Sequence, residues 1–218
     1  DISFEYSQFT LKYPSGAQIS YKCPLIGHHN VSNLAGALTL AHAMGISPES
    51  CAKSLASFYG IPGRLQAVKS ASAIHGFVDY AHTPDAVATA LKAMRPHVMG
   101  RLVAIVGAGG DRDAGKRPLM GKAAIDHADV VFVTDDNPRS EEPGAIRAEI
   151  MAACPNANEI GDRAEAILAA VDALQAGDAL LIAGKGHETG QIINDQILPF
   201  NDVEQASMSV SALDGLGA

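Results

Sequence analysis

Four short polar stretches sit where apolar runs stop: "VDYAHTPD" (Val78–Asp85), "GAGGDRDAGKR" (Gly107–Arg117), "DDNPR" (Asp135–Arg139) and "GKGHE" (Gly184–Glu188). In the third, the Arg139 fork can take a carboxylate bidentately. Asp136 and Asn137 can position an ammonium or other polar atoms, so the set suits a zwitterion. Pro138 biases Asn137 away from the helical region, which predicts an extended exit with side chains free to reach a ligand. The competing reading is a capping turn, with Ser140 as N-cap and Glu141 and Glu142 in the first turn. It accounts for the residues after Arg139 and leaves Asp136, Asn137 and Arg139 unexplained. In "GKGHE", the Gly184 carbonyl and the Glu188 carboxylate both accept from an ammonium. Lys185 and His187 read as solvated rather than as anion contacts. Asp79 stands at a strand end, where a carboxylate can hold ribose hydroxyls, and His82 comes just before a helix start. Asp85 reads as first-turn helix stabilisation.

The glycine-rich stretch invites two familiar readings. A dinucleotide fingerprint counted from Gly107 needs glycine at 112, where Arg112 stands. A phosphate loop counted from Gly110 runs through Gly115 and Lys116, but Arg117 replaces the metal-binding hydroxyl, and Asp111 and Asp113 would repel phosphate. A plain turn with solvated charges stays open beside a turn that presents Arg112 to an anion.

These stretches need elements to hold them. Residues 1–25 read as strands: Phe9, Leu11 and Tyr13 alternate with polar neighbours, and Pro14-Ser15-Gly16 is a turn. From Val31 the apolar period becomes helical and closes at Gly45. Ser47-Pro48-Glu49 starts a second helix. After "GIPGR" (Gly60–Arg64) strands and helices alternate. The strands are "AIHGFVDYA", "RLVAIVGAGG", "ADVVFVTDD", "ANEI" and "DALLIAGKG". The helices start at Thr83, near 118, at Ser140 and at Asp162, the last ending at Gly177. A hairpin turns at Asn194-Asp195 and a final helix runs from Asp202. Near-continuous apolar strands that alternate with helices predict an α/β fold: a Rossmann-like, mostly parallel sheet with helices on both faces. The four polar stretches then fall at carboxyl ends of strands, where such sheets bind ligands.

Composition narrows the function. The 218 residues are 47% hydrophobic and 18% charged, enough for a large core and unlike a disordered chain. Tryptophan is absent and aromatics make up 5%, so aliphatic residues build the interior. A net charge of −8 argues against nucleic acid, yet a few local arginines still allow an anionic small ligand. Cys23, Cys51 and Cys154 lack disulfide or zinc spacing, which suggests a reducing cytoplasm. No run is long enough to span a membrane. Beginning at Asp1 inside an apparent strand, the sequence reads as cut from something longer.

The stretches "GHHNVSNLAGAL" (Gly27–Leu38), "IPGR" (Ile61–Arg64), "VDYAHTPDA", "GAGGDRDAGKRPLMG", "TDDNPR" and "AGKGHE", in this order, resemble the Mur ligase family, and within it the members that add diaminopimelate. The resemblance implies the end of a truncated P-loop ATPase domain over residues 1–63, then the Rossmann-like amino-acid-binding domain over 64–218. It implies an ADP-forming ligase of peptidoglycan synthesis: ATP activates the glutamate γ-carboxylate of a UDP-muramoyl dipeptide as an acyl phosphate, and the diaminopimelate amine attacks it. Arg112, Asp136, Asn137, Arg139, Gly184 and Glu188 would bind diaminopimelate, with Arg139 reading the distal carboxylate that lysine lacks. Asn30, Arg64, Asp79 and His82 would lie near the nucleotide. The phosphate loop and metal ligands belong upstream, so ATP and Mg2+ would be bound mainly there. No catalytic or metal residue is expected in this chain, which would be inactive alone. A cytoplasmic monomer with small-molecule substrates, and with no nucleic-acid or membrane partner, is expected. A sibling ligase for another amino acid and a non-catalytic nucleotide-binding Rossmann module are the alternatives.

Overall fold

The computed structural model describes residues 6–68 and 75–216. The chain divides into two compact units, Asp1–Ile61 and Pro62–Ala218. In the first, β1 (Ser7–Lys12) and β2 (Gln18–Cys23) pair antiparallel, with Ser7 opposite Cys23 and Lys12 opposite Gln18. The alternation seen in the sequence puts Phe9, Leu11, Tyr13, Ile19 and Tyr21 on one face. Against that face pack Leu38 of α1 (His28–Ala43) and Cys51, Ala52 and Leu55 of α2 (Pro48–Ala56). Gly45, at φ +88°, closes α1: its N–H reaches the His42 carbonyl, and that of Ile46 reaches Ala41. Ser47 caps α2 by accepting from the Ser50 N–H, as the sequence predicts. The part of the first predicted strand before Tyr6 lies outside the described residues.

The second unit runs β3 (Gln66–Val68), β4 (His75–Asp79), α3 (Pro84–Met94), β5 (Leu102–Val106), α4 (Lys116–His127), β6 (Val130–Val133), α5 (Pro143–Met151), β7 (Asn158–Glu159), α6 (Arg163–Asp172), β8 (Ala179–Ala183), β9 (Gly190–Ile193), β10 (Gln196–Pro199) and α7 (Asp202–Leu216). Six strands form one sheet in the order β3-β4-β8-β5-β6-β7, parallel except for β3 at the edge. Helices α6 and α7 cover one face through Ile167, Ala170, Val171, Ala206 and Val210. Helices α3, α4 and α5 pack side by side and cover the other. Every residue of β5 and β8 is therefore buried, which is why "LVAIV" and "ALLIA" carry no polar side chain. Each such Val, Leu or Ile contributes about 1.5–3 kcal/mol by leaving water.

The α/β class and the parallel sheet read from the sequence are present, with differences in detail. Strand β3 was not anticipated: three residues are too few to display a period. The first residues expected in β4, Ala73 and Ile74, lie outside the described residues. Helix α5 begins at Pro143, not Ser140. The Ser140 hydroxyl instead donates to Asp111 across to the glycine-rich loop, so the capping-turn reading of this segment fails. Helix α6 stops at Asp172 rather than at Gly177, which lies in a separate turn whose carbonyl accepts from Gly100.

At the α4–α5 crossing, a methyl on Gly121 would lie 2.4 Å from the Ile150 carbonyl oxygen and 2.9 Å from Cys154 Sγ. Backbone cannot yield as a side chain can. Gly121→Ala is expected to lower stability by about 1–3 kcal/mol, although alanine alone favours a helix by about 1 kcal/mol. A denaturant titration checks the sign: the midpoint falls rather than rises.

Candidate amino-acid site at the strand ends

Register builds the site. Asp79 pairs with Ala183, Ile105 with Ile182, and Val106 with Val133, so β4, β8, β5 and β6 end on one line. The residues that follow are Tyr80, Gly184, Gly107 and Thr134, each within or next to one of the polar stretches, which now stand side by side.

Two of these loops clamp each other. The Gly110 N–H donates to the Asn137 carbonyl at 2.9 Å. Asp111, at φ +53°, accepts from the Ser140 hydroxyl at 2.7 Å and the Ser140 N–H at 3.3 Å. Those bonds hold its carboxyl below the usual range. Arg117, where a phosphate loop would place its hydroxyl, is buried and pairs with Glu141 at 2.8 Å and Glu149 at 3.2 Å. With Asp111 and Asp113 beside it, this loop does not fit a nucleotide phosphate.

Arg139 is held in a left-handed backbone conformation, φ +53°, by the β9–β10 hairpin. Its N–H donates to the Ile192 carbonyl, and its own carbonyl accepts from Asn194 at 2.7 Å. Its Nη1 donates to the carbonyls of Gly110 at 2.8 Å and Asn137 at 3.3 Å. Nε and Nη2 make no hydrogen bond within the described residues.

A cleft of about 380 Å³ opens over these loops, lined by Arg112, Asp136, Asn137, Arg139, Gly184 and Glu188, with His82 and Lys116 among the further walls. Side chains of both charge signs line it. A methyl on Gly109 would lie 2.7 Å from Arg139 Nη1 and 3.7 Å from Arg112 Cγ, so both arginines flank that glycine. A methyl on Gly184, at φ +120°, would lie 2.4 Å from Asp136 Oδ2, so that carboxylate abuts a residue that must lack a side chain. Asp136 is 8% exposed, and its carboxylate makes no hydrogen bond within the described residues. Burial pushes that carboxyl above the usual range, against the pull of Arg163 and Lys185.

Residues 63–186 match the family model described as "Mur ligase, glutamate ligase domain". The chain belongs to the Mur ligase family. It is 52% identical over 189 residues to the UDP-N-acetylmuramoyl-L-alanyl-D-glutamate–2,6-diaminopimelate ligase of Bradyrhizobium diazoefficiens, covering 87% of this chain and 39% of that protein. It is 45% identical over 213 residues to the same-named ligase of Agrobacterium fabrum, covering 97% and 44%. A solved structure of a ligase of that name superimposes with a TM-score of 0.72 at 40% identity, over 98% of this chain and 44% of that one. This Mur ligase chain thus spans about two fifths of the length of the curated relatives it matches.

Of the residues that the Mur ligase resemblance sets near the nucleotide, only His82 borders the cleft. Arg64 is exposed and lies over the Tyr80 ring at 4.9 Å. Asp79 is buried and accepts from the Leu65 N–H at 2.7 Å, which orders the turn before β3. Asn30 belongs to the first unit, where its amide donates to the Ile26 carbonyl at 2.8 Å.

The expectation that Asn137 is free to reach a ligand needs correction. Its Oδ1 accepts from Lys185 Nζ at 2.8 Å and the Ile192 N–H at 2.9 Å, and its Nδ2 donates to Glu188 Oε2 at 2.9 Å. Lys185, read as solvated, is wholly buried. His187 is exposed, with its ring 5.2 Å from that of Tyr80. Sequence reasoning also passed over Arg163. It looked like part of a helix cap, yet it is buried against Asp202 at 2.7 Å and donates to the Ala183 carbonyl at 2.9 Å. A charged residue in an otherwise apolar α6 stripe was the available signal.

Proposed function

We propose that this chain is the amino-acid-binding part of an ATP-dependent, ADP-forming ligase of peptidoglycan synthesis, which joins meso-diaminopimelate to UDP-N-acetylmuramoyl-L-alanyl-D-glutamate. The supporting observation is a cleft lined by both charge signs. Arg139 and Arg112 share it with Asp136 and Glu188, and a diamino dicarboxylic acid carries groups to pair with each. The guanidinium takes the distal carboxylate, while Asp136, Glu188 and the Gly184 carbonyl accept from an ammonium. Positioning the other amine for attack is this chain's share of the rate, since orientation can lower a barrier by several kcal/mol.

Residues 1–63 are read as the end of the central ATPase domain. ATP and Mg2+ are assigned to sequence upstream of it, since the glycine-rich loop here is unsuited to phosphate. Among the described residues no cluster of His, Cys, Asp or Glu could hold a metal ion. Arg64 and His82, both exposed, are the better candidates for nucleotide contact, with Asp79 ordering the turn behind them. A cytoplasmic setting fits the three free cysteines.

The test is the full-length protein, assayed for ADP release with the UDP-muramoyl dipeptide and one amino acid at a time. Saturable release with diaminopimelate and at least about 100-fold poorer kcat/KM with lysine is the expected result, because an arginine built for a carboxylate is left unpaired by lysine. Equal use of both sinks the substrate assignment.

A further inference from the structure

We propose that Lys185 is a positioning residue: it fixes the orientation of the Asn137 amide and of the Glu188 carboxylate, and so creates the ammonium-binding end of the cleft. The inference rests on the amino-acid reading above and names a residue outside the set that touches the ligand, for Lys185 does not line the cleft.

An amide side chain can sit either way round, and its neighbours decide. Here two donors, Lys185 Nζ at 2.8 Å and the Ile192 N–H at 2.9 Å, converge on one Asn137 atom, which must be the oxygen. Turning the amide over would set an NH2 group against an ammonium and a peptide N–H. With the oxygen fixed, Nδ2 is aimed at Glu188 Oε2, 2.9 Å away. Lys185 Nζ approaches the same Oε2 at 3.4 Å. Both internal donors therefore fall on one carboxylate oxygen, and Glu188 Oε1 makes no hydrogen bond within the described residues. A substrate ammonium meets that free acceptor.

Charge points the same way. With all five groups ionised, Asp136, Glu188 and Asp202 face Arg163 and Lys185 in this cluster and leave one negative charge in excess for a cation to complete. Without Lys185 the excess doubles, and a carboxylate of the cleft takes up a proton or turns outward. Burial disfavours the Lys185 cation, and Asp136 and Glu188 help to retain it. A lysine buried only for stability would not need to hydrogen-bond the two residues that face the cleft.

The experiment is steady-state kinetics of the full-length ligase carrying Lys185→Met, which keeps the aliphatic stem and removes charge and donors. The KM for diaminopimelate is expected to rise more than about 10-fold, with kcat and the KM values for ATP and the UDP-dipeptide within about threefold of wild type. The KM for lysine should rise in parallel, because both amino acids offer an ammonium, so the preference between them stays. An unchanged KM for the amino acid, or a fall in kcat alone, overturns the proposal. If the Met variant does not fold, Lys185→Gln is read by the same criteria. Failure of the substrate reading looks different: the wild-type protein then shows no preference for diaminopimelate, and the KM shift is read on whichever amine it consumes.

Discussion

Arg139→Ala in the full-length ligase is expected to lower kcat/KM for diaminopimelate about 100- to 1,000-fold and to leave the slow use of lysine unchanged. The proposal gives this guanidinium the distal carboxylate, and losing one partner of a charge-assisted pair typically costs about 2–5 kcal/mol. A loss of 100- to 1,000-fold, about 2.7–4 kcal/mol, lies in the middle of that range. Nη1 is anchored on the Gly110 and Asn137 carbonyls, so the fork is aimed before a ligand arrives. Among the described residues Nε and Nη2 carry no hydrogen bond, so the proposed ligand finds their donors unspent. Arg139→Lys separates charge from shape: a lysine restores the charge but not the planar fork, and should recover only part of the loss. The measurement is the ratio of kcat/KM for diaminopimelate to that for lysine. A ratio that survives Arg139→Ala would remove Arg139 from substrate selection.

The second large effect concerns Arg163. Arg163→Met should destabilise the protein by about 3–5 kcal/mol, because Asp202 then keeps a buried charge with no partner and the Ala183 carbonyl loses a donor. The double variant Arg163→Met, Asp202→Leu should regain most of that stability, since a well-packed apolar pair often replaces a buried ion pair at little cost. Binding should return only in part, because removing Asp202 offsets less than the loss of Arg163 at Asp136. Arg163 is the leading electrostatic counterweight to the desolvation of Asp136. The Asp136 carboxyl already lies above the usual range, and without the guanidinium it rises further. Its ionised form, the proposed acceptor for an ammonium, is then lost at a higher pH. The KM for the amino acid should therefore climb on acidification from a less acidic pH than in the wild type. Denaturant midpoints and a pH profile of KM separate the two effects; full recovery of both by the double variant would refute the link between Arg163 and the cleft.

A carboxyl raised in the folded state favours folding when protonated, so the Asp136 contribution is most favourable at acid pH and is lost as pH rises through its folded value.

Much of this was legible in the amino-acid sequence, and for local reasons. Helix starts at Ser47, Thr83 and Asp162 follow from side chains that accept from their own backbone a turn later. The buried strands "LVAIV" and "ALLIA" follow from the absence of polar groups. Arg112, Asp136, Asn137, Arg139, Gly184 and Glu188 could be named because each lies just after such a run. What the sequence did not reveal is which atoms were already spent. Asn137 looked free and is committed to Lys185, Ile192 and Glu188; Ser140 looked like a cap and ties two loops together. These bonds join residues 29 to 55 positions apart, beyond the reach of any local pattern.

The sequence alone determined the helices, the longer strands of the parallel sheet and the polar strand ends, since periodicity and turn chemistry act over a few residues. Tertiary structure decided the neighbours. Strand β8 comes after β4, β5 and β6 in the chain yet enters the sheet between β4 and β5. That insertion carries "GKGHE" beside "DDNPR", buries Lys185 beneath them and turns separate polar loops into one cleft. The order of strands depends on how all the apolar faces are covered at once, a property of the whole packed core that no short stretch encodes.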